Sequence, residues 1–456
     1  MIDRIRVFAV LFLFVFSGVL FAKEDDTLIV VNLETEAALL PIYMEPLSDE
    51  GAGFDAAYLK QLQGVLTYDV DHNGMTKIVA GKAAQGGSFD DFGSASSWKG
   101  QNIYYVLKAR VKEKKLSVRV LAVNANSIKS ADDFQLTGDL NQDRKVIHKV
   151  SDMLVKALFD KNGIASTKIL YTIKKPDPKD KGKYLSEVWE ADYDGANARK
   201  VSAEGAGYCI SPVYMQPKPG YVASSFFYVS YKGGQPKIFQ ASLKDGKTQR
   251  ITLLQGNQLM PSISRQRDKI AFISDVTGNP DLFLLGYDPD AGAVGKPRQI
   301  YSTFQATQAS PTFSPDGKQV AFVSNKDGSP RIYVIDIPAS GALLKNVKAR
   351  LLTKYGKEST APAWSPDGTK IAYSAMSTGV RQIWVYDFVK GEERQLTQGV
   401  GHKENPSWAP NSLHLVFNSA NANASELYMI NLNQPGATKL MAGPGEKRFP
   451  AWEPRI

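Results

Sequence analysis

The sequence predicts a small N-terminal α/β domain followed by a six-bladed β-propeller, closed by its own C-terminal strand. Three observations support this: regularly spaced prolines, a turn motif that follows them, and strand types whose numbers match only if the chain's end rejoins the ring. The prolines are Pro212, Pro261, Pro311, Pro362, Pro406 and Pro450, at steps of 49, 50, 51, 44 and 44 residues. A period of about 40–50 residues built from short strands is the signature of a propeller blade. The competing architecture is a β-sandwich with evenly spaced turns. A seven-bladed ring would need one more blade than the sequence offers.

The first strand of each unit starts at its proline. In the best copies it runs into Ser314-Pro-Asp-Gly317 and Ser365-Pro-Asp-Gly368. Proline presets φ at the first turn corner, aspartate bonds local backbone, and glycine closes the turn. Weaker copies begin at Pro261 and Pro406, and in the first unit Gln216-Pro-Lys-Pro-Gly220 lengthens the turn. A second strand follows, apolar on both faces as expected between stacked sheets: Val320–Ser324, Ile371–Ser374, Leu415–Phe417. Third strands are marked by Val188-Trp189, Ile238-Phe239, Leu282–Leu284, Ile332–Val334, Ile383–Val385 and Leu427–Met429. Fourth strands close the units, as in Arg350–Thr353 and Arg394–Thr397. The second strand at Ile169–Ile173 has no first strand before it, and the first strand at Phe449–Trp452 has nothing after it. Pairing the two completes six units and removes most exposed sheet edges. The lysine-rich stretch Lys174–Gly182 then lies inside the closing blade, and the domain boundary falls near Ser166.

Upstream, the grammar changes. Residues 1–22 form a signal peptide: Arg4 and Arg6, an apolar run from Val7 to Leu20, then Ala22 before a polar start. The run is short for a membrane span. In residues 23–165, Thr27–Val31 is an expected strand and Phe54–Leu66 a helix. Ile103–Leu107 and Leu116–Leu121 form a strand pair, and Asn141–Asp160 is the clearest helix. That last helix carries Val146, Val150, Met153, Leu154, Ala157 and Leu158 on one stripe, with Asn162-Gly163 as its stop. Gly86–Gly100, rich in glycine and serine, is expected to be a mobile loop. Asp69–Gly74 begins like a calcium loop, but Lys77 and Ala80 stand at its ninth and twelfth positions, so a hairpin turn is the expectation.

The formal charge is +9, or +8 without residues 1–22, because Asp3, Arg4 and Arg6 leave together. On an exported protein this favours acidic partners or an anionic surface over nucleic acid. Cys209 is the single cysteine, so no intrachain disulfide forms; a buried, inert thiol is expected. The chain has no Gly-x-Ser-x-Gly nucleophile elbow, dinucleotide or phosphate loop, or zinc-like cluster. His72, His148, His402 and His414 are its only histidines, with His148 and His414 expected to be packed or solvent-facing. The residues therefore point to binding, with no cofactor or metal. The loops ahead of the six prolines share one end of the ring. Their polar residues Asn257, Gln258, Gln305, Thr307, Glu358, Ser359, His402, Glu404, Lys447 and Arg448 are candidates for a docking mouth. The alternatives are an exported propeller enzyme, with paired carboxylates in the ring, and a carbohydrate-binding propeller, with aromatic residues repeated in these loops.

The exported α/β domain, the strand at Ile169, Tyr193-Asp-Gly195, the Ser-Pro-Asp-Gly blades and the terminal Phe449-Pro-Ala-Trp-Glu-Pro454 together resemble the TolB family of the Tol–Pal envelope system. The resemblance covers nearly the whole chain after the signal peptide. It departs at Arg265-Gln-Arg267, where Pro-Asp-Gly is usual, and in the acidic N-terminal segment. It implies a non-enzymatic, monomeric periplasmic scaffold that reaches the membrane only through partners. A Pal-type lipoprotein would dock on the propeller mouth. A TolA-type inner-membrane protein would engage Lys23 to about Glu34, with Thr27, Ile29, Val31 and Glu34 as contacts. The implied role is support of outer-membrane invagination at division and of envelope integrity.

Overall fold

The computed structural model describes residues 37–82, 88–422, 424–441 and 443–455. The expected signal peptide, the strand expected at Thr27–Val31 and the expected contact residues up to Glu34 lie outside them.

Six four-stranded antiparallel sheets form the propeller. Blades 1 to 5 span residues 209–250, 258–301, 308–351, 357–395 and 402–439. Blade 6 joins Glu446–Trp452 to Lys168–Pro176, Tyr184–Asp192 and Arg199–Lys200, in the register Trp452↔Ile169. The ring is thus latched by its C-terminal strand. Trp452 packs in one cluster with Ile169, Tyr171, Val416 and Leu427, and its Nε1 donates to Thr167 Oγ1 at 2.8 Å.

The second strands are apolar because both faces are covered. Val320, Ala321 and Phe322 are fully buried, as are Ile371, Ala372 and Tyr373. Residues on alternate faces enter the clusters of different blade interfaces. Burying one such phenylalanine contributes about 1.5–3 kcal/mol. The Ser-Pro-Asp-Gly turns form as expected: Gly317 N donates to Ser314 O at 2.9 Å, and Lys318 N to Asp316 Oδ1 at 3.0 Å. In blade 2, Arg267 takes the glycine's place at φ +65°.

In the N-terminal domain, strands run in the order Thr76–Ile78, Leu40–Met44, Tyr105–Lys112, Lys115–Ala122, Ser127–Gln135, with Ser48–Asp49 beside Tyr105–Lys112. The helices Ala56–Asp71 and Leu140–Phe159 share one core with this sheet. Asp55 caps the first by accepting from Tyr58 N, and Asp139 caps the second by accepting from Asn141 N.

Three local expectations are corrected. Met153 and Ala157 are exposed, while Ile147, His148, Ser151 and Val155 are buried. The second helix is covered by the propeller as well as by its own sheet, which rotates its buried face. It runs to Phe159, close to the expected end, and Asp160, in the left-handed conformation at φ +52°, closes it ahead of Asn162-Gly163. Asp69 and Asp71 belong to the last turn of the first helix, so no hairpin starts there. The described part of the Gly/Ser-rich stretch is pinned: Phe89, Phe92 and Trp98 are buried, and Trp98 Nε1 donates to Phe92 O. These three side chains outweigh the composition around them.

The two domains meet at a hairpin tip. Tyr193, at the end of the third strand of blade 6, packs edge-on against Tyr68 and His148 at centroid distances of 5.7 and 5.6 Å. Its hydroxyl donates to Asp69 Oδ1 at 2.7 Å. Asp69 also accepts from Ser151 Oγ at 2.8 Å and faces His148 Nδ1 at 2.9 Å. Arg144 pairs with Asp194. Gly195 follows at φ +86°, where a Cβ would collide with Leu440 O, so only glycine allows the close approach.

Candidate functional site

Each blade's outermost strand leads to the next blade's innermost strand through a crossing loop, and these loops surround one opening. The residue before each proline is left-handed without exception: Ser211, Met260, Ser310, Ala361, Asn405 and Phe449 have φ of 46–54°. The ladder to the second strand is displaced at that point in all six blades. This is a β-bulge repeated around the ring, and each left-handed non-glycine residue costs about 1–2 kcal/mol. All six residues line the channel.

Three residues before each proline, a side chain turns into the blade and ties down its own crossing loop. Gln258 Nε2 donates to Leu254 O, Ser359 Oγ to Gly356 O, Lys403 Nζ to Gly399 and Val400 O, and Lys447 Nζ to Gly443 and Gly445 O. Gln308 bonds Ala306 O, and Cys209 Sγ faces Ala206 and Gly207 O. All six are buried. Three mouth candidates are therefore relocated: Gln258, Ser359 and Lys447 face inward, because alternate residues of a strand point to opposite sides. Burial pushes the Cys209 thiol up to about 12, so it is un-ionised and inert at neutral pH.

Among the described residues Lys403 lacks the carboxylate that Lys447 has in Glu426 at 3.0 Å. Burial lowers it to about 8, against about 10.4 for a free lysine. Between those values the unfolded chain binds more protons than the folded one, so stability should rise with pH there. Lys403→Met should flatten that rise in denaturation midpoints measured from pH 7.5 to 10.5. An unchanged slope would show that another group carries it.

The other candidates stay at the opening. Gln305, Thr307, Glu358 and His402 are exposed, and Asn257, Glu404 and Arg448 half-buried. Arg381 joins Glu358 at 3.2 Å and Glu404 at 3.8 Å, and its backbone N donates to His402 Nδ1. Arg448 pairs with Glu446 at 2.8 Å, and Glu446 with Lys174 at 3.1 Å. Asn257 Nδ2 is held by Asp275. The charges are thus paired among themselves across solvent, where each pair contributes about 0–1 kcal/mol.

The polar inventory missed four residues that dominate this face. Leu253, Phe304, Tyr355 and Val400 sit on four successive crossing loops and are 83, 85, 73 and 61 % exposed. They lie six to eight residues before their prolines, a recurrence visible once the repeats are aligned. Two are aromatic, fewer than a sugar-stacking surface would need around six loops.

His148, Asp192 and Asp194 are the one group among the described residues with metal-ligand spacing. Each is already engaged: His148 by Asp69, Asp192 by Asn197 and Asp194 by Arg144. A guanidinium on the site opposes a bound cation, and the cluster serves as an interdomain lock. Among the described residues no helix is long and apolar enough to cross a membrane.

The family model for the TolB beta propeller domain matches residues 155–456. A TolB homolog from Protochlamydia amoebophila is 54% identical over 386 residues, 84% of this chain and 82% of that protein. One from Chlamydia felis is 37% identical, over 86% of this chain and 85% of its own. The crystal structure of TolB from Acinetobacter baumannii shares the fold with a TM-score of 0.74 at 22% identity, covering 94% of this chain and all of that one.

Proposed function

The chain belongs to the TolB family, and from that premise we propose that it is a non-enzymatic periplasmic scaffold of the Tol–Pal system. Its propeller mouth docks a Pal-type lipoprotein. The observation that carries this reading is the run of exposed apolar side chains Leu253, Phe304, Tyr355 and Val400. Exposed apolar side chains that recur on neighbouring loops amid polar groups offer a surface for protein contact, and large aromatic residues supply many hot spots. Gln305, Thr307, Glu358, His402, Glu404 and Arg448 form the polar rim, where charges tune encounter more than affinity. Gln258, Ser359 and Lys447 act indirectly by fixing loop shape.

The segment from Lys23 to Glu34, with Thr27, Ile29, Val31 and Glu34, is the proposed contact for a TolA-type inner-membrane protein. Competition between a docked and a released state of this segment would link the two partners through its differential affinity. In this reading the protein supports outer-membrane invagination at division and envelope integrity.

A double dissociation tests the assignment. Phe304→Asp should weaken binding of the same organism's Pal-type soluble domain at least about tenfold while sparing TolA-type binding and the melting temperature. Deleting residues 23–34 should abolish TolA-type binding and shift the Pal-type affinity without abolishing it; no shift at all would count against the coupling. A Phe304→Asp protein that binds the Pal-type domain normally would remove the mouth from the interface.

A further inference from the structure

The part of the channel beyond the left-handed ring, on the side of the Ser-Pro-Asp-Gly turns, encloses a cavity of about 340 Å³. It is lined by residues from one before to five after the prolines, and no residue of the exposed apolar run touches it. Phe313, Trp364, Trp408 and Trp452 border it, the first and the last two more than nine-tenths buried in the interfaces between blades, and prolines from all six blades complete the wall. Among the described residues no acidic side chain lines it, and its charged residues are Arg265 and Arg455.

The two arginines differ. Arg455 is neutralised: Nη2 donates to Ser166 O at 2.8 Å and to Glu453 Oε2 at 3.1 Å. Arg265 stands where four other blades place Pro315, Pro366, Pro410 and Pro454, all lining the same cavity. Its guanidinium reaches past blade 3 to blade 4, where Nη1 donates to Pro366 O at 3.0 Å. Among the described residues no carboxylate pairs with it. A guanidinium held in place by one carbonyl keeps other N–H groups for an anion, which its planar fork suits. Ligand sites of about 300–1,000 Å³ are mostly apolar with a few placed polar groups.

We propose that this cavity binds a small organic anion, an apolar body in the proline-rich channel with its charged group on Arg265. The site is separate from the mouth and independent of the partner assignment above.

The probes are 8-anilinonaphthalene-1-sulfonate and its uncharged parent, N-phenyl-1-naphthylamine, titrated into the mature chain. The sulfonate should bind one per chain, quench indole emission and weaken with salt. Arg265→Pro restores the residue that the neighbouring turns carry and so keeps the fold; Arg265→Gln serves if its melting temperature falls. Either variant should weaken the sulfonate about tenfold or more and change the neutral probe less than about twofold. Phe304→Asp should leave both affinities alone, which separates the cavity from the exposed apolar run. The proposal is overturned if the Arg265 variants bind the sulfonate like wild type, if the neutral probe binds as tightly as the anion, or if Phe304→Asp abolishes binding.

Discussion

A chain ending at Met441 is expected not to fold. It would lack Glu446–Trp452, the innermost strand of blade 6. Ile169, Leu170 and Tyr171, all essentially inaccessible in the intact protein, would lose their inner neighbour. The strand Lys168–Pro176 would become an unprotected edge, the arrangement that recruits other chains. Glu453 would go too, and with it the acceptor for Lys168 N and Ala223 N. The truncated protein should be recovered as aggregate and show no cooperative thermal transition. Trp452→Ala is the graded version. It removes a buried indole and the hydrogen bond that indole donates to the Thr167 hydroxyl, for a loss of about 3–5 kcal/mol. A soluble truncated monomer melting like the full chain would mean that five blades and a fragment suffice.

Asp69→Ala should be nearly as damaging, although it lies outside the ring. It leaves Tyr193 Oη, Ser151 Oγ and His148 Nδ1 buried without their acceptor. Breaking a buried charged network from one side costs about 3–5 kcal/mol. The effect should depend on pH. Burial opposes the His148 imidazolium, but the charge and hydrogen bond of Asp69, with help from Asp194, hold it above its ordinary value. Its contribution is therefore complete below about pH 6.5 and fades as pH rises through the raised value. His414 works in the opposite sense: burial lowers it to about 3, so its neutral form supports the fold above about pH 6.5 and the fold weakens as acid charges it. Urea midpoints from pH 4 to 9 should show the alkaline-side loss in wild type and not in Asp69→Ala, with the acid-side loss in both. A penalty below about 1 kcal/mol would show that the domains do not rely on this lock.

The ring was readable because its blades repeat. A proline, a tight turn and a two-faced apolar strand recur often enough that the odd strands at Ile169 and Phe449 could be paired by counting. The α/β domain was readable in its two long helices and its central strand pair, but not in the flanking strands Leu40–Met44, Thr76–Ile78 and Ser127–Gln135, nor in its faces. The exposure of Met153 and burial of His148 depend on a second domain that local periodicity does not contain. At the mouth, polarity was a poor guide. Lys447 looks like a surface residue and is sealed in by two loop carbonyls and Glu426, whereas Phe304 looks like core and faces water. The signal that separates them is position relative to the proline. Three residues before it a side chain enters the blade; six to eight before it a side chain stands on the crossing loop.

The indole–threonine bond that fastens blade 6 joins residues 285 positions apart. Contacts so remote form late, because the entropy of bringing the ends together must be met before they give anything back. Until then the chain is an unfinished arc with two sticky ends, and the time it spends in that form, more than its final stability, sets its demand for chaperone protection during maturation.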